Sequence, residues 1–143
     1  MKARIKWVEN RMFVGESGSG HAIAFGPPSG AEGRSLAPSP MELVLMGTGG
    51  CSAVDVVHIL ERGREPIEGC VVEVDSDRAS EDPKVFTRIH MRFVVTGRNL
   101  DPAKVERAIK LSAEKYCSAS IMIGKTATIT HDFTVVDTSK PAA

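Results

Sequence analysis

From Leu43 through Val54 the chain carries no charged side chain, and its apolar residues do not fall in one stripe. Set inside the stretch Ser39 to Arg64, this run constrains the fold more than any other. It reads as one long helix, with Ser39 as N-cap, Pro40 at the first helical position, a stop near Gly63, and Arg62 and Arg64 at the negative end. A helix that is apolar on every side has to be covered on every side. The uncharged run is shorter than the about 20 residues of a membrane span, so protein is expected to cover it. Its centre, Gly47-Thr48-Gly49-Gly50-Cys51-Ser52-Ala53, is built of small residues, although each Gly costs a helix interior up to about 1 kcal/mol. Something is therefore expected to approach closely there: a second helix, a second copy of the same helix, or a ligand beside the Cys51 sulfur.

Strand patterns flank this helix. Ala3, Ile5 and Trp7 alternate with Arg4 and Lys6, as in a half-buried strand. A turn at Glu9-Asn10-Arg11 leads to a second strand, Met12 to Glu16, and Ser17-Gly18-Ser19-Gly20 turns into a third, His21 to Gly26. Pro27 to Pro38 is Pro/Gly/Ser-rich and reads as a loop. Beyond the helix, Cys70 to Asp75 and Phe86 to Thr96 alternate and form an antiparallel hairpin, with Thr87, Ile89, Met91, Phe93 and Val95 on one face and Arg88, His90 and Arg92 on the other, one face core and one wet. Asp101 and Pro102 start a second helix that runs to Cys117. A short helical turn, Ser118 to Ile123, precedes a last strand, Thr126 to Val136, with Ala127, Ile129, His131, Phe133 and Val135 on one side. The order predicts an α+β fold of antiparallel sheets around the central helix. A single domain over 1–137 and a disordered tail over 138–143 are expected.

At 143 residues the chain is long enough to bury a sizeable core without disulfide support. Its 18 basic and 18 acidic side chains cancel, and no block of like charge occurs, so neither nucleic acid nor an anionic membrane surface is an expected partner. The N-terminus lacks the apolar core of a signal peptide, which points to the cytoplasm. Three widely spaced cysteines suit a reducing compartment, as buried or reactive thiols.

Cys51 and Cys117 are the residues that bear on chemistry. They read either as small buried hydrophobes or as a reactive pair. A thiolate attacks the terminal oxygen of a peroxide and becomes a sulfenic acid, which a second thiol captures as a disulfide if the two Cα atoms lie within about 7 Å. Cys70 alternates with Val72 and Val74 and reads as a core position. Cys51 and His58 are two helical turns apart, too far for direct contact, and no third ligand has suitable spacing, so no metal set is assigned. Asp55, one turn from Cys51, would raise the thiol pKa if it faced it, and is expected to pair with an Arg instead. The four histidines are expected to make structural hydrogen bonds.

Two motifs, Ser39-Pro40-x-Glu42-Leu43-x-Leu45-x-Gly47-x-Gly49-Gly50-Cys51 and Glu114-Lys115-Tyr116-Cys117-Ser118-x-Ser120, together resemble the OsmC/Ohr superfamily of thiol-dependent peroxidases, and within it the YhfA-like OsmC branch. The resemblance covers nearly the whole chain. It implies an intertwined homodimer with the central helices in the middle. It also implies reduction of organic hydroperoxides, with Cys51 as peroxidatic and Cys117 as resolving thiol. A dithiol such as dihydrolipoamide would serve as reductant, with no metal or flavin cofactor.

In the better-characterised branches of that superfamily a Glu directly follows the Pro and holds an Arg that stabilises the thiolate. Here Met41 takes that place, and Glu42 comes one residue later, on a face turned by about 100°. Arg11, in the turn between the first two strands, is the preferred candidate for the Arg, with Arg34 as the other. The shifted Glu keeps two further expectations in view: a non-catalytic binding protein for a small hydrophobic ligand at the dimer-interface pocket, and a thiol redox sensor.

Overall fold

A computed structural model of the chain describes residues 1–27 and 35–139. Arg34, most of the Pro27 to Pro38 loop and residues 140–143 of the expected tail lie outside the described residues. Two compact units, Met1–Leu45 and Met46–Ala143, are distinguished.

In the first unit β1 (Ala3–Glu9), β2 (Met12–Ser17) and β3 (Ala22–Phe25) form an antiparallel meander in that order. Asn10 and Arg11 join β1 to β2 with φ of 46° and 65°. Positive φ at both central residues matches the right-handed twist of the strands, and Asn tolerates it well. Phe13 stacks on Phe25 with ring centroids 5.8 Å apart. The alternation of β1 is expected to half-bury one face, but Ile5 and Trp7 are 60% and 65% exposed. Alternation fixes which residues share a face, not whether one chain supplies what covers it.

Helix α1 (Pro40–Arg62) starts in this unit and continues into the second. Its start is a reciprocal cap. The Ser39 N–H donates to Glu42 Oε2 at 2.7 Å, and the Glu42 N–H donates to Ser39 Oγ at 3.3 Å, so two groups that helix geometry leaves without partners are satisfied together. At the other end Arg64, not Gly63, takes the left-handed position, with φ of 57°. The Arg64 N–H donates to Glu61 O and the Glu65 N–H to Leu60 O, closing the last carbonyls.

In the second unit β4 (Ile67–Arg78), β5 (Phe86–Gly97) and β6 (Thr128–Asp137) form one sheet with β5 in the centre. Ile89, Met91, Phe93 and Val95 of β5 are fully buried, as the alternation predicts, whereas Thr87, expected on the same face, is exposed near the start of the strand. β4 and β5 are antiparallel, with Cys70 opposite Val95 and Val74 opposite Met91. β6 runs parallel to β5, with Phe133 opposite Phe93. The expectation of purely antiparallel sheets is therefore corrected: this sheet is mixed. A parallel neighbour needs a long crossover, and here it consists of α2 (Pro102–Leu111), a π-helical segment (Ser112–Tyr116) and α3 (Ser118–Ile123). Asp101 caps α2 by accepting from the Ala103 N–H at 2.9 Å, as the Asp-Pro signal predicts. Thr138 and Ser139, expected in the tail, are held: the Thr138 N–H donates to Gly97 O and the Ser139 N–H to Asp137 Oδ1.

Only one stripe of α1, Thr48, Gly49, Ser52, Val56 and Leu60, is buried. A Cβ on Gly49 would come within 2.8 Å of Val74 Cγ2, so β4 is the close neighbour that one of the three glycines requires. Among the described residues nothing lies within 4 Å of a Cβ built on Gly47 or Gly50, and Val54 is 69% exposed. The all-round cover expected of this helix is not supplied among the described residues. By length and hydropathy alone α1 would suffice to cross a membrane, but Asp55, within it, accepts a hydrogen bond from the crossover and Gly49 is fitted to β4.

Candidate active site

The π-helical segment places the second cysteine. It continues α2 by one wide turn, in which the Cys117 N–H donates to Ser112 O at 2.8 Å, five residues back. Cys117 then takes an extended backbone, with φ of −70° and ψ of 94°, and opens α3. Its sulfur caps that helix, accepting from the Ser120 N–H at 3.4 Å, and lies 3.1 Å from Ser120 Oγ. Ser120 Oγ is in turn 3.3 Å from Ser52 Oγ on α1. Cys117 is fully buried.

Cys51 faces this group from α1. The sulfurs of Cys51 and Cys117 and a carboxylate oxygen of Asp55 all lie within 4.8 Å of one another. Asp55 sits four residues after Cys51, on the same helical face. It was expected to pair with an Arg, yet Asp55 Oδ2 accepts from Ser112 Oγ at 3.0 Å, and among the described residues no Lys or Arg forms an ion pair with it. A carboxylate thus stands beside the two thiols, held by a hydroxyl from the π-helical segment.

The two thiols are driven apart in acidity. Burial pushes the Cys51 thiol up, and so do its hydrogen bond to Cys117 and the negative charges of Cys117 and Asp55, against the weaker pull of the Ala119 N–H. Burial acts in the same direction on Cys117, but there the hydrogen bonds from Cys51, Ser120 and Ser52 together outweigh it and hold the thiol below its ordinary value. These surroundings favour the ionised form of Cys117 over that of Cys51. An un-ionised Cys117 thiol can donate to Thr48 O at 3.9 Å or to Ser120 Oγ at 3.1 Å.

The other expected residues lie elsewhere. Cys70, expected at a core position, is only half-buried on β4 and is not part of the cluster; burial pushes its thiol up. Arg11 belongs to the first unit, exposed at the β1–β2 turn. Glu42 is also in the first unit, with one carboxylate oxygen committed to Ser39; those bonds hold its carboxyl below the usual range. Among the histidines, His90 is hydrogen-bonded to Thr130 and Asp132, and His21 to Ser19. His131 Nε2 is buried without a partner among the described residues. Ser52, Ser112 and Ser120 were not singled out from the sequence as partners of the site. Ser120 stood in the second motif, but serines carry no spacing signal that says which one will turn toward a sulfur.

A long helix bearing one thiol, laid against a sheet whose crossover bears the other, defines a small α+β protein with a paired-thiol site. The chain belongs to the OsmC-like protein family, which matches residues 31–132. It is 53% identical to Protein YhfA of Escherichia coli strain K12 over 136 residues, covering 95% of this chain and 98% of that protein. The fold is similar to the crystal structure of an OsmC-like protein from Mycoplasma pneumoniae, with a TM-score of 0.79 and 13% identity over 94% of this chain and 96% of that one. It is also similar to the organic hydroperoxide resistance protein OhrB of Bacillus subtilis, with a TM-score of 0.63 and 18% identity over 94% and 98% of the two chains.

Proposed function

We propose that this protein is a thiol-dependent peroxidase that reduces organic hydroperoxides, with Cys51 as the peroxidatic and Cys117 as the resolving thiol. The observation that carries the proposal is the approach of the two sulfurs to within 4.8 Å from separate elements. Membership of a family with organic hydroperoxide resistance proteins among its structural relatives supports the substrate class.

In the first step the Cys51 thiolate attacks the terminal oxygen of the hydroperoxide. The O–O bond breaks, the alcohol leaves with a proton, and Cys51 becomes a sulfenic acid. Cys117, already the more acidic thiol, then attacks that sulfur. The hydroxyl departs as water and the Cys51–Cys117 disulfide forms. A dithiol such as dihydrolipoamide returns both residues to thiols and is itself oxidised to a disulfide.

The first step needs a Cys51 thiolate, and the principal influences on that thiol include no cation. We assign the missing positive charge to Arg11, with Glu42 as its partner through the oxygen that the Ser39 cap leaves free. A homodimer would cover the exposed face of α1 around Gly47, Gly50 and Val54. A cytoplasmic setting would keep the thiols reduced between cycles.

The test is a thiol titration of purified protein before and after one equivalent of cumene hydroperoxide, with the disulfide mapped by mass spectrometry and turnover followed with dihydrolipoamide. Rapid loss of two thiols, a Cys51–Cys117 link and its reversal by the dithiol are expected. Unchanged thiols, or full activity in Cys51→Ser, would refute the mechanism.

A further inference from the structure

The peroxidase cycle uses two of the three donors that meet at the crossover and leaves the third, Asp55, without a task. We propose that the reduced protein binds one thiophilic divalent cation, of the zinc class, through Cys51 Sγ, Cys117 Sγ and an Asp55 carboxylate oxygen. This goes beyond the peroxidase assignment and does not depend on it.

The donor set selects the ion. Two sulfurs and one carboxylate suit a borderline-soft cation and disfavour magnesium or calcium, which take oxygen ligands. Around zinc, sulfur lies at about 2.3 Å and carboxylate oxygen at about 2.0–2.2 Å, so tetrahedral neighbours stand roughly 3.5–3.8 Å apart. The three donors already lie within 4.8 Å of one another. Small side-chain rotations of Cys51 and Asp55, both half-buried on α1, would close the set around the fixed Cys117.

Two further features fit a ligand set. Ser112 Oγ donates to Asp55 at 3.0 Å, the kind of outer hydrogen bond that orients a ligating carboxylate. Charge points the same way: two thiolates and a carboxylate would carry three negative charges, and among the described residues Asp55 has no cationic partner. A divalent ion relieves that repulsion. The fourth position would be left for water or an incoming thiolate, reached from a cavity of about 530 Å³ lined by Asp55, His58, Arg62 and Tyr116 among others.

Binding displaces the protons still held by the two thiols, so affinity falls as pH falls. Metal and disulfide are mutually exclusive, because both use the same sulfurs.

The experiment is an anaerobic titration of the reduced, full-length protein with cobalt(II), followed by zinc competition against a chromophoric chelator. One cobalt per chain is expected, with near-ultraviolet sulfur-to-metal charge transfer of two-thiolate intensity and the visible bands of a tetrahedral site. Ser112→Ala should weaken zinc binding by about tenfold, and Asp55→Asn by more, while Cys70→Ser leaves it unchanged. Zinc should protect Cys51 and Cys117, and not Cys70, from alkylation. Binding of equal strength in wild type and Asp55→Asn, or a band of one-thiolate intensity, would overturn the proposal. Circular dichroism of each variant separates loss of a ligand from loss of the fold. Hydroperoxide turnover, measured apart, can fail without touching this result, and the reverse also holds.

Discussion

Ser112 Oγ, on the π-helical segment, donates to Asp55 Oδ2 on α1 at 3.0 Å, and this one hydrogen bond holds a carboxylate against two thiols. Asp55 raises the pKa of Cys51, so its removal should have a sign opposite to that of most active-site substitutions. Asp55→Asn is expected to make Cys51 alkylate faster at neutral pH. A pH–rate profile with iodoacetamide, read residue by residue by mass spectrometry, checks this; a slower or unchanged Cys51 would contradict the electrostatics described above.

The cap at the start of α1 sets an acid limb in the stability curve. The N–H and hydroxyl of Ser39 hold the Glu42 carboxyl below its usual value of 4.5. Its contribution is therefore present in full above that value and is lost as pH falls through the lower folded-state value. Glu42→Gln should flatten this limb in denaturant melts between pH 3 and 6, ~3 units that span the transition. Ser39→Ala should cost about 1 kcal/mol at neutral pH.

Gly49 and Gly50 are adjacent and should behave oppositely in packing. Gly49→Ala drives a methyl onto Val74 and should destabilise by about 1–3 kcal/mol. Gly50→Ala meets nothing among the described residues and should be neutral or gain up to about 1 kcal/mol from helix propensity. If a second copy covers this face, Gly50→Leu should instead weaken self-association, which sedimentation equilibrium reads directly.

Arg64 holds a left-handed conformation that glycine adopts without cost from a Cβ. Arg64→Gly is expected to raise stability by up to about 1 kcal/mol in urea melts without altering thiol chemistry. A loss of stability would mean that the Arg64 side chain makes a contribution larger than its backbone strain.

Much of this was written in the chain. The Asp101-Pro102 start, the buried face of β5 and the strand order follow from local spacing, because cap chemistry and period-2 alternation are properties of neighbours in sequence. The pairing of Cys51 with Cys117 was legible only through the two motifs taken together, since nothing local links an α1 residue to the end of the crossover. Ser39-x-x-Glu42 is a capping-box signature, and the cap, not a displaced clamp, is the role that local spacing gives Glu42. Asp55 was placed on the correct face and given the wrong partner: helical spacing shows which side a carboxylate takes, not what waits there. The direction of β6 was missed because alternation is the same in parallel and antiparallel strands, although a crossover of two helices already implied the parallel case.

The parallel join of β6 to β5 also sets an order of assembly. A hairpin such as β4–β5 closes from local turns, but β6 can pair only after the intervening helices have folded back across the sheet. Cys117 lies within those helices, and Cys51 comes far earlier in the chain. During synthesis the first thiol therefore leaves the ribosome well before the crossover that carries its neighbour. For a chain with this topology, the paired-thiol site is among the last features to be completed.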